Sequence, residues 1–516
     1  MNILYLLLYT IANIFVLLNY NGLYWDDWVA YNQDSQTMAI FFDMIRHNIK
    51  GDFYLIVEKF FNHIYGFRLF IYFAYLFIGY FIYRIILSTE LFNDHTSKFI
   101  AFLSVLVPIN SVKIYISIAP FVFPMLLFYL AFFLLARNYP LPNKSLKVII
   151  LTVFFFSFST NSILVFYASV LFYLYYMDNN KSIKINLKTI TSFILNRWDF
   201  IVLPIFYFLY KSIYLVPYGL YNNYNKVSFS FEKITNILQK TLEFMTKDLF
   251  ISLLENNYVV IAAVIVSGLI ALLVKHNIKI GWKKSLLLFI FSIILFILAV
   301  FPYAAVNKTP TLMGTNGRLA LLLGPAIAMF FIAVISLLSN LFLRYKQKAF
   351  LFLASFLVIT MTAKNIPPQY ELILDNFYQA AIIENFKENN SIKNHTTFLV
   401  HPCKACRKRG FYEWSGILKK TFGNTTRLMF LPRSIKRLNQ KGTTKNGKSI
   451  FFFHQFKHYK QYNFYQWDGN QNYKEVYIKK DMNLTPLLQA KLMFYYLFND
   501  DKFKKLAKLL VVISVK

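Results

Sequence analysis

"NGLYWDDWVAY", residues 21–31, sets two adjacent carboxylates, Asp26 and Asp27, among aromatic rings directly after an apolar run covering residues 3–19. The run approaches membrane-spanning length, and the Tyr/Trp cluster behind it has the composition of a membrane interface. It has no basic start and no small-x-small cleavage site, so it reads as a retained anchor rather than a removed signal peptide. Acids presented this soon after a membrane segment need a chemical reason as well as a topological one.

The rest of the chain repeats the pattern. Its 516 residues are 57% hydrophobic and 19% aromatic, with a mean hydropathy of +0.45. That is too much apolar material for one soluble core. Apolar runs fall near 3–19, 68–87, 99–115, 119–136, 148–176, 200–216, 258–274, 285–303, 318–343 and 349–363. Basic connections lie between them at 137–147, 178–199, 275–284 and 344–348. The positive-inside rule assigns these to the cytoplasmic side, so the formal net charge of +31 is first a topology signal.

Both flanks of the 148–176 run are basic and on the same side by this rule, which one continuous helix cannot satisfy; the alternative, a single long tilted helix, would flip everything on one side of it. The polar break "SFSTNS" at 157–162 predicts a hairpin of two short membrane segments whose turn is buried or lines a wet cavity. The expected fold is an α-helical multi-pass membrane protein with about eleven membrane segments. Its N-terminus is cytoplasmic and its C-terminal domain extracytoplasmic.

In this topology the loops 20–67, 217–257 and 304–317 face outward. Asp34 or Ser35 is positioned to cap a surface helix over 36–49, whose stripe is Met38, Phe41, Phe42, Ile45 and Ile49. The membrane domain is 1–363. Residues 364–516 form a second, basic, small α/β domain with helices at "PPQYELILDNFYQAAIIENFKEN" and "TPLLQAKLMFYYLF" and strands at "TTFLVHP" and "SIFFFHQF". This domain has 27 Lys and Arg against 10 Asp and Glu, which favours anionic lipid or glycan contact. Nucleic acid is not an expected partner, because the domain faces away from the cytoplasm. The two cysteines, Cys403 and Cys406, read as a local disulfide or idle thiols, since no second C-x-x-C or close His pair completes a zinc set.

No P-loop, dinucleotide fingerprint or zincin motif stands out, which weighs against use of a cytosolic nucleotide donor. A donor arriving in the bilayer remains compatible. Neighbouring side chains diverge on a helix or a strand, so Asp26 and Asp27 cannot serve one atom in the same way. One can act as general base, while the other orients a group, binds a metal or caps the next helix. Interface aromatics and a plain N-cap account for the same residues without chemistry.

An acidic pair in the first outward loop, about eleven spans and an outward C-terminal domain together resemble the GT-C superfamily of membrane glycosyltransferases. The stretch "FPYAAVNKTPTLMGTNGRLALLLGPAIA", 301–328, is similar to the outward loop and following helix of multi-pass proteins with such an acidic first loop. The resemblance implies a catalytic role for Asp26 or Asp27 and a polyprenyl-phosphate-linked sugar donor within the lipid bilayer. The acceptor would be a cell-surface glycan, lipid or protein.

Arg318, and after it Lys308, are the expected donor-phosphate contacts at the outer start of a span. Arg318 also fits a snorkelling interface residue. His47 and His63 lie on the same outward side and are positioned to assist or merely to pack. Asn161, in the polar break, faces the same choice between cavity and hairpin turn. Paired acids can bind a divalent ion such as Mg or Mn, although no full ligand set is visible. The expected site of action is the outer face of a cytoplasmic membrane, and the Lys, Asn, Ile, Tyr and Phe richness fits an AT-rich bacterial genome. Two other classes fit the same pattern: a lipid-linked-sugar or ion transporter using the broken 148–176 segment, and a non-catalytic envelope-assembly protein.

Overall fold

The computed structural model describes residues 3–32, 35–61, 63–108, 111–141, 143–182, 186–218, 230–274, 281–311, 315–342, 344–395, 397–402, 409–424, 427–432 and 473–516. The described part is predominantly helical, with one small sheet.

Among the described residues five helices are long and apolar enough to cross a membrane: Ile64–Ser88, Ile116–Arg137, Trp282–Ala304, Gly324–Leu341 and Lys346–Glu388. Two bent pairs, Leu187–Asn196 with Trp198–Tyr214 and Phe231–Leu254 with Asn257–Leu273, raise the number to seven if each is one span. The expectation of about eleven segments is therefore corrected downward. Several apolar runs form helices too short for a bilayer, which needs about 20 residues. Ile3–Leu18 has 16 residues and a kink at Asn13. The 99–115 run yields a 13-residue helix, Asp94–Leu106, followed by two 3-10 turns.

Nine residues of the Asp94–Leu106 helix are buried. Its hydrophobicity serves protein packing rather than lipid contact, a distinction that a hydropathy run alone does not make. Gly324 explains part of that packing: a Cβ there would collide with the Ser104 carbonyl, so only glycine permits this approach of two helices. Elsewhere, apolar side chains remain exposed in bands such as Ile261, Ile265, Leu269 and Leu272, or Leu286, Ile290, Ile293 and Ile297. Their three- and four-residue spacing gives each helix one continuous greasy face.

The 148–176 run breaks at its polar residues, into Lys144–Ser157, Asn161–Phe166 and Ala168–Asp178. The chain turns back on itself there. Tyr139, just before the first helix, donates to Asp178 at the end of the last (2.6 Å), and Arg197 pairs with the same carboxylate (2.7 Å). Lys147 pairs with Asp199 close by.

The surface helix expected over 36–49 is instead two helices, Ser35–Met44 and Asn48–Phe60, broken at Arg46, whose φ is +53°. Asp34 lies outside the described residues. The 43-residue helix Lys346–Glu388 runs through the expected boundary at 363/364. It holds the first segment by side-chain donors to backbone carbonyls: Gln369 to Ala12 (3.0 Å) and Gln379 to Leu23 (2.9 Å).

Beyond it, β1 (Thr397–His401), β2 (Leu428–Phe430), β3 (Lys474–Lys480) and β4 (Val511–Val515) form one sheet in the order β2-β1-β3-β4. β1 is parallel to both neighbours, with Leu399 opposite Phe430 and Val400 opposite Val476; β4 is antiparallel to β3. Helices Phe411–Phe422 and Pro486–Phe498 accompany the sheet. Thr485 caps the second by accepting from the Leu488 N–H (3.3 Å). The expected strand at "SIFFFHQF" and both cysteines lie outside the described residues.

Candidate functional site

The turn after the first apolar helix is held by a residue from another helix. Arg68, fully buried, donates to the carbonyls of Asn19 and Gly22 and to that of Ile114 (3.1 Å). A guanidinium has five fixed donors, which suits it to gathering three carbonyls from two segments. The 3-10 turns at 111–118 are thereby brought against residues 19–27.

Asp27 is completely buried and begins the short helix Asp27–Asn32. One carboxylate oxygen accepts from the Ser117 N–H (3.0 Å) and the other from the Tyr24 N–H (3.2 Å). Burial pushes its pKa up to about 6, opposed by Arg68 and by these N–H donors. With both oxygens engaged by backbone, Asp27 fixes the turn.

Asp26 points elsewhere. Trp25 has φ +51°, a left-handed conformation costly for a bulky residue. Its N–H donates to Glu413 Oε1 (3.1 Å), from the C-terminal helix Phe411–Phe422. This twist turns Asp26 away from its neighbour and towards Arg318, with 3.8 Å between Oδ2 and Nη1. The Asp26 side chain is 37% exposed and that of Arg318 24%. The separation exceeds a direct hydrogen bond, so the pair is not locked. Tyr412 hydrogen-bonds to Asp26. Burial raises the Asp26 pKa to about 7; Arg318 opposes that rise, while Asp27 and Glu413 add to it.

Arg318 lies in a six-residue 3-10 turn, Thr315–Ala320, ahead of the helix that starts at Gly324, rather than at a span's first turn. Its guanidinium carbon sits 4.8 Å from the Trp25 ring centre. Tyr303, within electrostatic reach of Arg318, donates to Ser162 (3.1 Å) in the polar break. Lys308 follows on the same connection, its N–H donating to the Tyr303 carbonyl (2.9 Å). Asn161 accepts from Lys211, and His47 lies beside Lys50 and Lys211 rather than beside Asp26. His63 opens the Ile64–Ser88 helix, and its side chain lies outside the described residues.

Among the described residues no group of three His, Cys, Asp or Glu side chains converges in a way that could hold an ion. Both Asp27 oxygens are committed to N–H groups, so the adjacent pair cannot chelate as it stands.

The chain's spacing did not disclose Arg68, Tyr303, Tyr412 or Glu413 as site residues. Arg68 is the lone cation near the start of an apolar run, a readable anomaly. Glu413, three residues after Gly410, closes a cap by accepting from the Gly410 N–H. That local pattern marks a helix start but says nothing of Trp25. No family model, curated protein or solved structure matches the chain.

Proposed function

We propose that the protein is a membrane glycosyltransferase of GT-C type, acting at the outer face of a cytoplasmic membrane. It transfers a sugar from a polyprenyl-phosphate-linked donor to a cell-surface glycan, lipid or protein. The observation that carries this reading is the half-buried Asp26, raised in pKa and turned by the Trp25 backbone towards an unlocked Arg318.

In the proposed reaction Asp26 takes the proton of an acceptor hydroxyl as its oxygen bonds to the anomeric carbon. The bond from that carbon to the donor phosphate breaks, and its electron pair leaves on the phosphate oxygen. Arg318 offsets the charge that develops there. A base poised near neutrality is suited to this step, since it is available as carboxylate yet basic enough to accept a proton. Lys308 is the second phosphate contact in this reading. Asp27 and Arg68 keep Asp26 in place.

The test is mass-spectrometric profiling of surface glycans and lipid-linked sugars in a deletion strain complemented with wild type, Asp26→Asn or Asp27→Asn. Loss of one sugar, restored by wild type and not by a membrane-inserted Asp26→Asn protein, supports transfer. Full restoration by both Asn variants sinks the mechanism and returns the molecule to the transporter or assembly reading.

A further inference from the structure

A second cationic centre lies beside the polar break, on different residues from the Asp26 site. Lys50, in the Asn48–Phe60 helix, is 2% exposed. It makes no side-chain hydrogen bond or ion pair among the described residues, and its amine rests 4.4 Å from the Phe121 ring centre. A buried ammonium with no acid beside it is costly, and a bound anion would offset that cost. Lys211, from the Trp198–Tyr214 helix, lies within electrostatic reach of Lys50, and both act on His47. Burial and these neighbours hold His47 well below its usual range, and burial with Lys211 brings Lys50 down to about 7.

The corner at 43–47 is tied to the segment after Lys211: Tyr218 N–H donates to the Met44 carbonyl (3.0 Å), and the Tyr218 hydroxyl donates to Asp43 (2.7 Å). Arg46 pairs with Asp43 (2.7 Å) and covers the Tyr218 ring at 4.8 Å. Asp43, the carboxylate of this corner, is thus already engaged. Lys211 donates to Asn161, the chain neighbour of Ser162, which links this centre to Tyr303 and Arg318.

We propose that Lys50, Lys211 and His47 form a second anion site that takes a phosphate ester, separate from the Asp26–Arg318 centre. Two phosphate esters satisfy it: the second phosphate of a diphosphate-linked donor, or the phosphate of an anionic lipid headgroup. The first source rests on the glycosyl-transfer reading, whereas the site itself does not.

The test uses the full chain purified in detergent, titrated with farnesyl phosphate and farnesyl diphosphate, and reconstituted in phosphatidylcholine vesicles with or without phosphatidylglycerol. The variants are Lys50→Met, nearly isosteric and free of the buried charge, and Lys211→Gln, on the more open side. If the site takes the donor's second phosphate, wild type prefers the diphosphate by about tenfold or more, and each variant brings the preference to within about twofold. If it takes a lipid headgroup, the two farnesyl probes bind alike. Phosphatidylglycerol then raises the melting temperature of wild type and not of the variants.

Variants that respond to all probes as wild type does overturn the proposal, as does a wild type that responds to none. Should Lys50→Met fail to fold, Lys211→Gln with Lys211→Arg as rescue decides alone. These titrations read binding alone and need no sugar transfer. Failure of sugar transfer with binding intact therefore bears on the Asp26 mechanism and leaves this site standing.

Discussion

Two arginine–aspartate pairs meet through the Phe411–Phe422 helix and are built in opposite ways. Arg409 bonds directly to Asp375, with side chains 1% and 9% exposed, and Gln379 donates to the other Asp375 oxygen (3.1 Å). Arg318 and Asp26 stand 3.8 Å apart and partly open, with Tyr412 hydrogen-bonded to Asp26. The first pair fixes the chain immediately ahead of Tyr412 and Glu413, and the second receives what those two residues position. A directly bonded pair makes a lock; charges held just out of bonding range keep free energy of interaction in reserve for a third group.

Substitutions can break that contrast. The largest expected effect is on Asp26→Asn, which should lower transfer by about 10²–10⁴-fold while the protein still inserts and folds. A loss confined to the amount of protein in the membrane would instead make Asp26 structural. Arg409→Met should do the converse. Leaving Asp375 buried and uncompensated costs about 3–5 kcal/mol, seen as a lower melting temperature and earlier proteolysis.

Arg318→Gln should cost about 10²–10³-fold in transfer, with stability changed by less than about 1 kcal/mol. Equal stability losses for the two arginines would erase the distinction between lock and site. Asp27→Asn keeps one acceptor and sets an amide against a backbone N–H, so about 1–3 kcal/mol of stability should be lost. Calorimetry in detergent resolves that difference.

The smallest effect sharpens the comparison through pH. Asp26 near 7 and Asp27 near 6 both lie above the ordinary carboxylate value of about 4. The folded state therefore holds more protons, and this contribution to stability is fully present below about pH 4 and lost as pH rises through about 6–7. Transfer by an Asp26 carboxylate should rise across the same upper window. Melting temperature and rate should consequently move in opposite directions with pH, and Asp26→Asn should flatten the melting curve near pH 7. Parallel movement would remove Asp26 as the shared group.

The adjacency of Asp26 and Asp27 was legible because it is local, and so was the likelihood of different roles, since neighbours diverge. Which acid faces the site depends on the left-handed Trp25 backbone and on Glu413, 388 residues away in sequence. No spacing rule reaches that far. Arg318 was legible as a cation next to an apolar run, yet its 3-10 turn and its seat over Trp25 follow from tertiary packing. The excess of expected spans has the same origin: residues such as Ile100, Leu103 and Leu106 are greasy because protein surrounds them, and hydropathy reports greasiness without naming the neighbour.

The Lys346–Glu388 helix also has a mechanical meaning. It carries Pro367 and Pro368, which lack two N–H donors in succession and mark its weakest point in bending. The 20 residues beyond them form an arm of about 30 Å. A flexure of roughly 6° at the prolines would sweep the far end through about 3 Å, the scale of one hydrogen bond. Both ties to the first segment, from Gln369 and Gln379, lie on that arm, so any such flexure would carry the turn at Leu23 with it.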